Sequence, residues 1–186
     1  MFVQNQSTLV LNKPTLNFLS IRALIFQLLL ISAAVVLPVV VHLTGALVRY
    51  LLPMHWVVIL AGLLYGWRGG LLVGVLSPVA SFLISGMPYP GILPSMTIEL
   101  VTYGIITGFL RENIKLNPFL SVTIALVFGR ITFVASVLLL NVVTTNQLDY
   151  IKIALLPGIV ATLLQILLLP FLANWWINKE RINKEE

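Results

Sequence analysis

Long apolar runs, separated by brief punctuated turns, constrain this chain more than any other feature. A helix of ~20 apolar residues is long enough to cross the ~30 Å hydrocarbon core of a bilayer. The runs and their punctuation predict six spans, at about 21–43, 53–66, 70–84, 94–110, 119–143 and 150–176. The breaks between them read "SGMPYPGILP", "RENIKLNP" and "TTNQLD", and the last span ends in the charged tail "NKERINKEE". Pro38 is expected to kink the first span. Backbone polar groups in hydrocarbon must be bonded within the segment. The expected fold class is therefore an all-α integral membrane protein, six transmembrane helices in one compact bundle, with residues 1–186 as one membrane domain.

Composition agrees. Of 186 residues, 59% are hydrophobic and only 9% charged, far too few charges to cover a water-soluble domain of this size. The net charge of +5 does not suggest nucleic acid, because the basic residues are few and scattered at segment ends. The absence of cysteine excludes disulfides and thiolate metal sites and leaves the redox compartment unread. Residues 1–19 carry no apolar core of a signal peptide, and the first apolar run exceeds signal-peptide length, so an uncleaved membrane protein is expected.

Six spans put both termini on one side. Lys13, Arg22, Arg68, Arg111, Lys115, Lys179, Arg181 and Lys184 fall on that side, against Arg49 and Lys152 on the other. Cytoplasmic loops carry the positive excess, so both termini are expected in the cytoplasm. Trp56, Trp67, Trp175 and Trp176 stand near predicted span ends, as an interfacial aromatic belt would. Gly62-xxx-Gly66, Gly70-xxx-Gly74 and Gly104-xxx-Gly108 are small-xxx-small pairs, which let helix backbones approach closely in lipid. With "YGWRGG" as a very short turn, spans two and three are expected to form a tight antiparallel hairpin.

Ionisable groups at membrane depth are costly and normally face protein or a cavity. Glu99 lies one and a half turns into span four, and Arg130 lies near the middle of span five. They are candidates to pair with each other, to bind a ligand, or to do both. Met96, Glu99 and Tyr103 share one helix face, as do Arg130, Val134, Val137 and Asn141, and Gly158, Thr162 and Gln165 make a third stripe. Three such stripes converging on an outward cavity would give an apolar wall with a few polar groups, the usual make-up of a small-molecule site. Tyr89, in the proline-rich loop 86–94, and Asn146 are placed to reach in from loops, the former as part of a lid. His42, Arg49 and His55 are expected at the outer rim or among lipid headgroups.

No catalytic pattern stands against this reading. The chain has no HExxH, no GxSxG and no Gly-rich loop ending in Lys-Ser or Lys-Thr, so an ATP site of its own is not expected. Asp149 is the sole aspartate, which removes an intramembrane aspartyl pair, and two histidines near the surface are poor candidates for a serine protease or a metal site. No ring of polar residues suggests a channel, and no internal repeat suggests a secondary transporter. An enzyme is not expected, and no cofactor. What remains is a binding subunit that borrows its energy from a partner.

At this point particular residues carry a resemblance. "LPMHWVVILAGLLYGWRGGLLVGVLSPVASFLISGMP" (52–88) and "IELVTYGIITGFL" (98–110) are similar to the second to fourth helices of the substrate-binding S components of energy-coupling factor (ECF) transporters. The likeness covers about two thirds of the chain. It implies a subunit of a prokaryotic plasma membrane that binds a vitamin or similar micronutrient from outside. The substrate would sit between the outer loops and helices four to six. A transmembrane coupling subunit and two cytoplasmic ATPases would drive release, with the S component toppling in the bilayer. The family's first helix typically carries Ala-xxx-Ala toward the coupling subunit, whereas here "LISAAVVLPVV" has small residues without that spacing. Its nickel and cobalt members begin with Met-His, whereas Met54-His55 is internal, so metal binding is not carried over. The substrate-binding candidates are Glu99, Tyr103, Arg130, Asn141, Gln165, Tyr89 and Asn146. Riboflavin, pantothenate, folate and cobalamin all remain open as ligands. The competing reading is a non-transporting membrane scaffold in which Glu99 and Arg130 are a structural pair.

Overall fold

The computed structural model describes residues 15–43, 48–142 and 146–185, and among them every regular element is a helix. In chain order these are α1 (Ile21–Leu43), α2 (Val48–Leu51), α3 (Pro53–Ser85), α4 (Leu93–Glu112), α5 (Pro118–Leu139) and α6 (Gln147–Glu185). Five of them, all but the single turn α2, are long and apolar enough to cross a membrane. Proline stands in the first turn of α3, α4 and α5, where its missing N–H has no intrahelical partner to lose and its fixed φ suits the helix. Asn117 caps α5, its side chain accepting from the Phe119 N–H at 2.9 Å.

α3 is broken at Gly66, whose φ of 73° and ψ of −169° are accessible to glycine and to almost nothing else. The chain reverses there. A Cβ built on Gly69 would stand 3.4 Å from the carbonyl oxygen of Ala61. An unbroken helix would advance ~12 Å over that many residues. The limbs 53–65 and 67–85 therefore lie against each other. The reversal is tighter than "YGWRGG" suggests, and the second limb starts at Trp67 rather than Gly70.

Both limbs pack on α4 in the most extensive interface of the molecule. A Cβ on Gly62 would lie 2.8 Å from the Gly104 carbonyl oxygen, and one on Gly70 would collide with the Gly104 backbone. Three helical segments thus meet backbone to backbone, an approach that small residues alone permit. α1 packs on α3, α5 on α4, and α6 on α5, with lighter contacts from α6 to α2 and α3.

Polarity is arranged as lipid requires. Gln27, Ser77, Thr107, Ser121 and Gln165 are buried, whereas Leu28, Leu29, Leu163, Leu167 and Phe171 face outward. Three boundaries of the last two helices differ from the sequence reading. α5 stops at Leu139, and α6 begins at Gln147 and continues to Glu185, because the tail's Glu, Lys and Arg are themselves good helix formers. Trp176 stacks on Phe26, with ring centroids 4.3 Å apart. Residues 143–145, Lys13 and the side chains of His42, Arg49 and Lys184 lie outside the described ones.

Candidate substrate-binding site

One end of the bundle holds a cavity of about 290 Å³. Leu52, Ile92, Met96, Phe133, Ile153 and Ala154 make its apolar wall, and His55, Glu99, Arg130 and Tyr150 supply the polar part. The end is set by the hairpin. The first turn of limb 53–65, the first turns of α4 and α6, and the second half of α5 all lie there.

Glu99 organises the polar side and is 3% exposed. Its Oε1 accepts the Tyr103 hydroxyl at 2.7 Å and the Arg130 guanidinium, through Nη1, at 3.0 Å. His55 Nε2 lies 3.6 Å from the same oxygen, beyond a good hydrogen bond, and the His55 ring sits 5.4 Å from the Tyr103 ring. Oε2 has no hydrogen bond among the described residues. A lone buried carboxylate costs several kcal/mol, so the Arg130 pair and the Tyr103 hydroxyl are what make Glu99 tolerable there. Two glycines make room for these side chains. A Cβ at Gly129 would collide with the Tyr103 ring, and one at Gly158 would stand 2.6 Å from Arg130 Nη2.

The seven residues singled out from sequence separate into three groups. Glu99 and Arg130 line the cavity, and Tyr103 is wholly buried behind Glu99. Gln165 is buried on α6, its Nε2 without a hydrogen-bond partner among the described residues, but it is not part of the cavity wall. Asn141, Asn146 and Tyr89 are exposed: Asn141 accepts from Gln147 at 2.9 Å, Asn146 donates to Asp149, and Tyr89 is 69% exposed. From the expected lid loop, only Ile92 reaches the wall.

His55 corrects the sequence reading. Its place at a span start suggests the rim, yet it is 4% exposed and lines the cavity, because Pro53 starts the helix and carries His55 inward within its first turn. Among the described residues neither of its buried ring nitrogens has a hydrogen-bond partner. Phe133, Tyr150 and Leu52 are further lining residues that the sequence reading passes over. A signal for Phe133 does exist, one turn after Arg130 on the same face.

A second hollow, of about 220 Å³, opens at the opposite end against Arg22, Phe26, Tyr65, Trp176 and Glu180. Its wall holds no buried ion pair among the described residues, so the functional reading rests on the Glu99 cavity. No group of three or more metal-ligating His, Cys, Asp or Glu occurs among the described residues.

The model of one family, the ECF transporter substrate-specific component, matches residues 18–178. The chain belongs to that family. The S component is thus a transporter component and not a member of an enzyme family, and membership implies a small-molecule substrate and association with ECF partner subunits. With five membrane-capable helices it is a multi-pass membrane protein. No curated protein and no solved structure matches this S component.

Proposed function

We propose that this chain is the high-affinity substrate-binding subunit of an ECF-type importer for a vitamin or related micronutrient. In this reading the hairpin counts as two crossings, which gives six spans and two cytoplasmic termini. The cavity then opens at the charge-poor, outer end. Substrate enters from outside and meets Met96, Phe133 and Tyr150 as walls and the Glu99–Arg130 pair as its polar anchor. The chain topples against a transmembrane coupling subunit powered by two ATPases, which brings the cavity to the cytoplasm. The host membrane is the plasma membrane of a prokaryote.

The observation that supports this reading best is a cavity whose polar groups converge at one end, beside an α3–α4 seam packed backbone to backbone. A second reading draws on the 3.0 Å Glu99–Arg130 contact: a membrane scaffold in which that pair only ties α4 to α5. Native mass spectrometry of the detergent-extracted protein separates the two. A retained small molecule, or a stabilisation by one compound from a vitamin panel that grows with its concentration, supports the importer subunit. A bare protein that no compound stabilises supports the scaffold.

A further inference from the structure

We infer that the substrate is an uncharged planar ring compound that presents an adjacent donor and acceptor, as a carboxamide or lactam does, to Glu99 and Arg130. This rests on the importer reading and narrows it. Three features of the cavity point the same way.

The first is charge. Glu99 and Arg130 neutralise each other at 3.0 Å, and the one other basic side chain on the wall among the described residues, His55, has its Nε2 3.6 Å from the same carboxylate oxygen. An anionic ligand on Arg130 would bring its charge beside Glu99. A cationic ligand on Glu99 would meet Arg130. Like charges placed together in a desolvated site repel strongly.

The second is the pattern of open hydrogen-bonding capacity. Glu99 Oε1 is occupied by Tyr103 and Arg130, with His55 Nε2 3.6 Å away, and Oε2 accepts no hydrogen bond among the described residues. Arg130 spends Nη1 on Glu99, its Nη2 packs beside Gly158, and no further hydrogen bond of the guanidinium is seen among the described residues, although the side chain is 21% exposed and belongs to the cavity wall. Acceptor and donors therefore sit side by side on one pair. Their complement is an N–H beside a C=O. Reading an edge of this kind discriminates strongly, because a substrate lacking it leaves buried polar groups unpaired.

The third is shape. Phe133, Tyr150, Met96, Ile92 and Ile153 enclose about 290 Å³. Aromatic and thioether side chains favour flat faces. The volume lies at the lower end for small-molecule pockets, which suits one ring system and is far too small for a corrinoid.

The experiment uses one ring in three charge states on the full-length protein in nanodiscs. Binding of nicotinamide (neutral), nicotinate (anionic) and 1-methylnicotinamide (cationic) is compared by thermal shift and native mass spectrometry. Uracil against orotate provides a second neutral–anionic pair, and lumichrome a larger neutral lactam. Neutral members are expected to bind at least about tenfold tighter than their charged partners. Glu99→Gln leaves Arg130 without its counter-charge, and it should shift the preference toward nicotinate and orotate. If Glu99→Gln does not fold, Arg130→Gln carries the same test with opposite sign and should favour 1-methylnicotinamide. Preference of the parent protein for a charged member overturns the inference and leaves the importer reading standing. Absence of binding by every probe, with no small molecule retained on purification, overturns both.

Discussion

The interface of α3 with α4 and the space between α4, α5 and α6 are built on opposite plans. On the first side Gly62, Gly70 and Gly104 bring backbones into direct contact and leave no room for side chains. On the other side the helices stand apart, and the gap holds an ion pair, a tyrosine hydroxyl and a cavity. Lipid gives no drive to bury apolar surface between helices. Cohesion must then come from close packing where no ligand is needed, so that the polar side can remain open. The closed seam holds Glu99 in position from behind, and the open side presents it.

Widening the seam should have the largest effect. Gly104→Leu places a side chain where the Gly70 backbone lies, and it should abolish folded protein as read by size-exclusion profile and thermal unfolding. Next comes Arg130→Ala. It leaves Glu99 buried and uncompensated, for which about 3–5 kcal/mol of destabilisation is expected, together with loss of ligand-induced stabilisation. Gly158→Ala should act more gently. Its methyl group presses on the guanidinium, so binding should weaken several-fold while the unfolding temperature without ligand changes little. If Gly158→Ala instead unfolds the protein, α6 is part of the closed seam and the contrast fails. The smallest effect belongs to Tyr89→Phe, which alters an exposed group away from the cavity and should leave stability within about 0.5 kcal/mol and binding unchanged.

Much of the seam is legible in the sequence, because glycines at four-residue spacing have one strong physical use in a membrane helix. The Glu99–Arg130 pair is legible for a similar reason: two opposite charges in apolar runs seldom stand alone. Proximity in space is harder to read. Asn141 shares a helix face with Arg130, but α5 ends at Leu139, so the stripe leaves the helix before reaching the cavity. Gln165 is buried as its stripe suggests, yet α6 turns that part of its face away from the cavity. His55 escapes because depth is counted from a span end, whereas the local path of the chain at Pro53 decides which way the first turn faces. The hairpin is foreseen from "YGWRGG", but its sharpness depends on the single backbone angle at Gly66.

That reversal also fixes a depth. Arg68, with its side chain 56% exposed, flanks the turn beside Trp67, and in the proposed orientation it would anchor the turn at headgroup level. The limb leading back from it, 53–65, rises only ~20 Å at the helical pitch, against a hydrocarbon thickness of ~30 Å. Its far tip, with Leu52 and His55, therefore stops short of the opposite membrane surface. If the hairpin crosses the bilayer as proposed, the floor of the hollow beside it is a well sunk roughly a third of the way into the hydrocarbon, and a solute must descend that far to touch Glu99.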